Sequence, residues 1–112
     1  MATITEDYCS KEIYRLLIEK GFDGEIHTTF DGEGYTQPSI TLQMAMKWLR
    51  KKHLLHISID MVNGGRWEYE IDDISSPFDG GVIPKYYCDK SFSSYEEAAD
   101  DAIRYSLEHL IK

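Results

Sequence analysis

Three carboxylates alternate with apolar residues in Trp67-Glu68-Tyr69-Glu70-Ile71-Asp72. Paired carboxylates do acid–base chemistry when their surroundings push their pKa values apart. Here a period of two explains the spacing without any site. A strand that buries Trp67, Tyr69 and Ile71 turns Glu68, Glu70 and Asp72 to the other face, so the alternation predicts all three in water. The four histidines, His27, His53, His56 and His109, carry no zinc spacing with cysteine or carboxylate. His53 and His56 straddle an expected helix-to-strand junction, and His53 suits a helix C-terminus as a cation. Asp23-Gly24-Glu25 and Asp31-Gly32-Glu33-Gly34 lack the alternating ligands and distant glutamate of a calcium loop. They read as Asp-Gly turns. The sequence assigns no catalytic, cofactor-binding or metal-ligating residue, and it contains no G-x-S-x-G, P-loop or dinucleotide fingerprint.

The cations are more suggestive. No acidic residue occurs from Gly34 to Ile59, whereas Lys47, Arg50, Lys51 and Lys52 cluster there. The net charge of −8 therefore divides into +4 in that segment and −12 elsewhere. Basic residues belong in the last turns of a helix, where they complement its dipole. The sharper expectation is an electropositive patch, Lys47, Arg50, Lys51 and Lys52, that docks an acidic partner or a phosphate. The acidic balance as a whole counts against general binding to nucleic acid or anionic membrane.

The elements that position these residues follow from periodicity. Ser10–Phe22 is an amphipathic helix with Cys9, Ile13, Leu16, Leu17 and Lys20 on one stripe, Ser10 as N-cap and Gly21 just past its end. Asp23–Ser39 is irregular, with a short strand expected at Ile26–Phe30. Ser39–His53 is a second helix, with Leu42, Ala45, Met46 and Leu49 facing a core and Ser39 or Thr41 as cap. Leu55–Met61 and Trp67–Asp72 alternate as strands about Asn63-Gly64-Gly65. Ser75–Gly81 is a loop, and Val82–Cys88 is a third strand whose Pro84 places it at an edge. Ser93–Ile111 is a helix whose start matches a capping box twice, Ser93 with Glu96 and Ser94 with Glu97. Its Ala99, Ala102, Ile103, Ser106 and Leu110 share a face.

The 112 residues suit one α+β domain, 1–112. The expected order is α-(β)-α-β-β-β-α, with about three helices on a small antiparallel sheet of three to four strands. No apolar run approaches the ~20 residues needed to cross a bilayer, and the first residues lack a secretory pattern. Cys9 and Cys88 are expected to be reduced, partly buried thiols in the cytoplasm. A redox pair would need their Cα atoms within about 7 Å.

Ser10–Phe22, with its Leu-Leu-x-x-Lys-Gly-Phe end, resembles the opening of an uncharacterised family of small proteins common in Bacteroides-group gut bacteria and their phages and mobile elements. Thr41–Arg50 is similar to that family's central signature. Ser94-Tyr95-Glu96-Glu97-Ala98, followed by Ala102-Ile103 and Leu107-Glu108, is similar to its closing one. The resemblance spans nearly the whole chain and implies a bacterial cytosolic setting, with no activity or ligand to carry over. From Thr41 onward the order also matches the layout of double-stranded-RNA-binding domains. Glu96, Glu97, Asp100 and Asp101 would repel RNA where such a module grips it.

Three functional readings result. The leading one is a non-enzymatic accessory protein that binds another protein or itself, with Tyr35, Phe78 or Tyr87 as aromatic anchors. The alternative is a nucleic-acid-associated protein using Lys47, Arg50, Lys51 and Lys52, or an acidic mimic of nucleic acid. The third is an enzyme with its site in Asp23–Ser39.

Overall fold

In a computed structural model, residues 7–30, 32–75 and 83–111 are described, with the side chains of 83–85 set aside. The chain runs α1 (Lys11–Glu19), β1 (His27–Phe30), β2 (Thr36–Ser39), α2 (Leu42–Lys52), β3 (Leu55–Val62), β4 (Arg66–Asp73), β5 (Ile83–Tyr87) and α3 (Tyr95–Tyr105). A single π turn, Ser106–Leu110, continues α3. The α+β class holds, and the element order matches the expected one except for a second strand before α2.

Each helix begins where its capping residue predicts. The Ser10, Thr41 and Ser94 side chains accept from the backbone N–H groups of Ile13, Met44 and Glu97. Each such cap stabilises its helix by about 1 kcal/mol. Helix α1 stops because Gly21 adopts φ +90°. Gly21 N–H then donates to Ile18 O, and Phe22 N–H to Leu17 O, at 3.1 and 2.9 Å. This wraps Phe22 back under the helix, where it packs on Trp48 with ring centroids 5.6 Å apart.

The main sheet has the order β3-β4-β5 and is antiparallel throughout. Strands β3 and β4 pair from Leu55↔Asp73 to Val62↔Arg66 around Asn63–Gly65, where Gly64 and Gly65 take φ +80° and +72°. Strand β5 is an edge, as Pro84 requires, and its register with β4 shifts between Ile71 and Asp72. Beyond it, Trp67 and Phe92 exchange two backbone hydrogen bonds of 2.9 and 2.7 Å, extending that side of β4.

Helices α2 and α3 pack on one face of this sheet, and α1 packs against α3. The core joins Ile13 and Leu17 of α1, Ala45, Met46 and Leu49 of α2, Ile57, Tyr69 and Ile71 of the sheet, and Ala99, Ala102 and Ile103 of α3. Each fully buried Leu or Ile contributes about 2 kcal/mol, and the alanines of α3 let the helix approach closely. Ser106 is buried and donates to Ala102 O at 2.9 Å. Such back-bonding competes with the helical ladder, and the helix widens into its π turn at this residue.

The irregular segment contains one strand more than expected. Strand β2 pairs with β1 from His27↔Ser39 to Phe30↔Thr36, making a separate two-stranded sheet. Nothing in Thr36-Gln37-Pro38-Ser39 alternates in hydropathy, so this strand exists through its pairing alone. Among the described residues no helix is long and apolar enough to cross a membrane.

Candidate functional site

The β1–β2 hairpin packs chiefly against itself. At its base the Tyr8 and His27 rings meet edge to face at 6.0 Å, and Cys9 N–H donates to Ile40 O at 2.8 Å. One face, Thr29, Gln37 and Ser39, is half-buried. Thr29 Oγ1 lies 3.1 Å from Ser39 Oγ there. The opposite face is open. Phe30 is 66% exposed and Tyr35, just before β2, is 70% exposed. The hairpin is thus an arm held at its base, with aromatics toward its tip. Of the three aromatic anchors expected, Tyr35 and Tyr87 are exposed. Phe78 lies outside the described residues. Phe30 was missed, because a phenylalanine in a short β-rich run reads as core.

The four cations at the end of α2 do not form one patch. Lys47 and Lys51 are exposed, and Arg50 is half-buried. Lys52 turns away to an ion pair with Asp23 at 2.9 Å. Asp23 also accepts from Trp48 Nε1 at 2.9 Å. Lys52, and then the Trp48 N–H, hold the Asp23 carboxyl below its ordinary value. Position on the helix explains the split: residue 52 lies about 140° around from residue 47, at 100° per residue. His53 caps the helix C-terminus, but its ring packs edge-on to Trp48 at 4.7 Å. Burial there lowers its pKa and disfavours the cation. Complementation of the dipole therefore falls to Arg50, Lys51 and Lys52.

The strand carboxylates depart from expectation. Glu68 and Glu70 are half-buried, and Asp72 is only 5% exposed, with Oδ1 sealed from solvent and without a hydrogen-bond partner. Alternation fixes which face a side chain takes, not what surrounds it. Asp72 sits on the central strand between His56 and Pro84, beside the register shift. Glu70 stands next to it, and its carboxyl is raised by side-chain hydrogen bonding to Asp72, by burial, and by the charges of Asp72 and Asp60. Tyr87 donates to Glu68 across the same face.

The acids that open α3 are partly engaged. Asp101 accepts from the buried Tyr69 hydroxyl at 2.7 Å, and Asp100 accepts from Ser10 N–H at 3.4 Å. Glu96 and Glu97 are exposed. With Asp7 and Ser10, these four acids line a hollow of about 470 Å³ floored by Leu42 and Phe92. The histidines are dispersed: His27 beside Glu25 at 3.2 Å, His53 on Trp48, His56 on the outer sheet face, and His109 against Tyr105. Among the described residues no three His, Cys, Asp or Glu side chains converge as metal ligands. Cys9 and Cys88 are both buried and free, and burial pushes the Cys9 thiol up to about 12. That thiol is protonated at neutral pH and a poor nucleophile.

The fold thus defines a small α+β domain carrying a hairpin arm, with Lys47, Arg50 and Lys51 on α2 and an acid-lined hollow at the start of α3. Compared with known proteins, the chain matches no family model, no curated protein and no solved structure.

Proposed function

We propose that this chain is a non-enzymatic accessory protein that binds another protein through its β1–β2 arm. The observation that carries the reading is the arm itself. Two large aromatics, Phe30 and Tyr35, stand mostly in water on a hairpin that contributes little to the core. Aromatics are favoured interface anchors, since a rigid ring buries much area at little entropic cost. The resemblance of Thr41–Arg50 and the flanking helices to a phage and mobile-element family supports a cytoplasmic, bacterial setting for that partner.

The test uses the chain as bait in a native bacterial lysate, beside the double variant Phe30→Ser, Tyr35→Ser. A stoichiometric partner retained by the wild type and lost by the folded double variant is expected. A partner held equally by both, or none at stoichiometric level, overturns the reading.

A second reading is binding of nucleic acid, favoured by Lys47, Arg50 and Lys51, for which no ion-pair partner occurs among the described residues. Lys52 contributes less to it because Asp23 already neutralises it. Such binding would weaken steeply with salt. An unshifted DNA or RNA band at low salt rejects it.

A further inference from the structure

The two edges of the main sheet are unlike. Strand β5 is short, contains Pro84 and is irregular in register, all features that discourage pairing with another chain. Strand β3 has eight residues, pairs regularly with β4 along its length, and contains neither proline nor lysine. Among the described residues no backbone hydrogen bond reaches its outer side.

The hydrogen-bond phase of β3 can be read from its neighbours. Ile74 N–H donates to Leu54 O at 2.9 Å. Bonded and non-bonded pairs alternate along an antiparallel ladder. Leu54, His56, Ser58, Asp60 and Val62 therefore direct their backbone groups toward β4. Leu55, Ile57, Ile59 and Met61 direct theirs outward. The far side of β4 agrees: Trp67 and Tyr69, opposite Met61 and Ile59, bond away from β3, to Phe92 and Cys88.

We infer that β3 pairs with β3 of a second copy of this chain, antiparallel and about a two-fold axis at Ser58, to make one continuous six-stranded sheet. This register sets Ile57 against the partner's Ile59, and Leu55 against the partner's Met61. All of these are outward-bonding positions, so each meeting is a hydrogen-bonded pair. It also sets His56 against the partner's Asp60, twice by symmetry, at non-bonded positions where side chains come closest. Met61, 62% exposed in the single chain, gains an apolar neighbour. Sliding the strands by one residue opposes bonded to unbonded groups. Sliding by two separates His56 from Asp60. The His56–Asp60 pairing and the hydrogen-bond phase thus select the same alignment, which is isologous and closes as a dimer. The inference stands on β3 alone and is independent of the arm reading.

Sedimentation equilibrium of the full chain over a wide concentration range tests it, together with two substitutions on the outer face of β3. Ser58→Lys brings two ammonium groups together at the axis. It leaves the monomer sound, because Ser58 pairs with Glu70 within the chain. Ser58→Cys, under mild oxidation, links the two copies through position 58, with both native cysteines buried. The expected results are a wild-type dimer, a dissociation constant about fivefold weaker or more for the folded Ser58→Lys variant, and a position-58 cross-link. A monomer at all concentrations overturns the inference, as it would if the edge serves an extended segment of another protein. A dimer that does not cross-link through position 58 also overturns it, since its contact lies elsewhere. The cross-link reads the register even if Ser58→Lys fails to fold.

Discussion

Asp72 stands two residues from Glu70 on β4 with one carboxylate oxygen buried and unpartnered, and its proximity raises the Glu70 carboxyl above its ordinary value. A buried, unsatisfied oxygen costs about 1–3 kcal/mol. Asp72→Asn removes the charge and supplies a donor toward Glu70. The variant is expected to be more stable by about 1 kcal/mol at pH 7, read from urea unfolding. The pH dependence gives the sign. Because the Glu70 pKa is raised on folding, its stabilising effect is full below its ordinary value and is lost as pH rises through the raised one. The wild type should therefore lose stability across that window, and Asp72→Asn should flatten the slope. An unchanged slope means the pair is not coupled.

Asp23 joins the loop after α1 to the end of α2 through Trp48 and Lys52. Asp23→Ala removes both partners and is expected to lower the urea midpoint more than Lys52→Ala, which leaves the Trp48 hydrogen bond in place. The Asp23 pKa is depressed on folding, so its contribution is present above its ordinary value and disappears as the solution is acidified through the lowered one. Equal midpoints for the two variants would show that the indole contact contributes nothing.

Tyr69 is fully buried at the centre of the sheet and donates to Asp101 on α3. Tyr69→Phe keeps the ring, so the loss isolates one charge-assisted hydrogen bond, about 2 kcal/mol. Burial first, and then the Asp101 hydrogen bond, raise the Tyr69 pKa. Spectrophotometric titration should find at least one fewer tyrosine ionising in the folded wild type than in the unfolded chain, and Tyr69→Phe should remove that difference for Tyr69. Ionisation of every tyrosine before unfolding would contradict this placement.

Gly21→Ala tests the end of α1. A Cβ there meets nothing within 4 Å, so any cost is conformational. The φ of +90° is one that L-residues rarely adopt, and the expected loss is about 1 kcal/mol. A neutral result in thermal unfolding would mean that Phe22 reaches its site by another path.

Most of the fold was legible in the chain. Ser10, Thr41 and Ser94 announce their helices because a cap is a local hydrogen bond. Leu55–Met61 and Trp67–Asp72 announce their pairing because Asn63-Gly64-Gly65 supplies the positive φ their turn needs. Strand β2 was not legible, since Thr36–Ser39 gains its conformation only from β1. The candidate sites were legible only in part. Spacing grouped Lys47, Arg50, Lys51 and Lys52, and Asp23, distant in sequence, divided them.

The sequence by itself determined periodicity, caps and turns, because each depends on residues within a few positions of one another. It also set the uneven division of charge, with +4 in Gly34–Ile59. Tertiary structure alone decided that Asp72 is buried although its neighbours in the alternation are less so, that the Asp23–Ser39 segment projects Phe30 and Tyr35, and that β3 is left, among the described residues, as a regular open edge. Burial, ion pairing and edge exposure are relations between residues far apart in the chain, and they arise only when the sheet and helices close around the core.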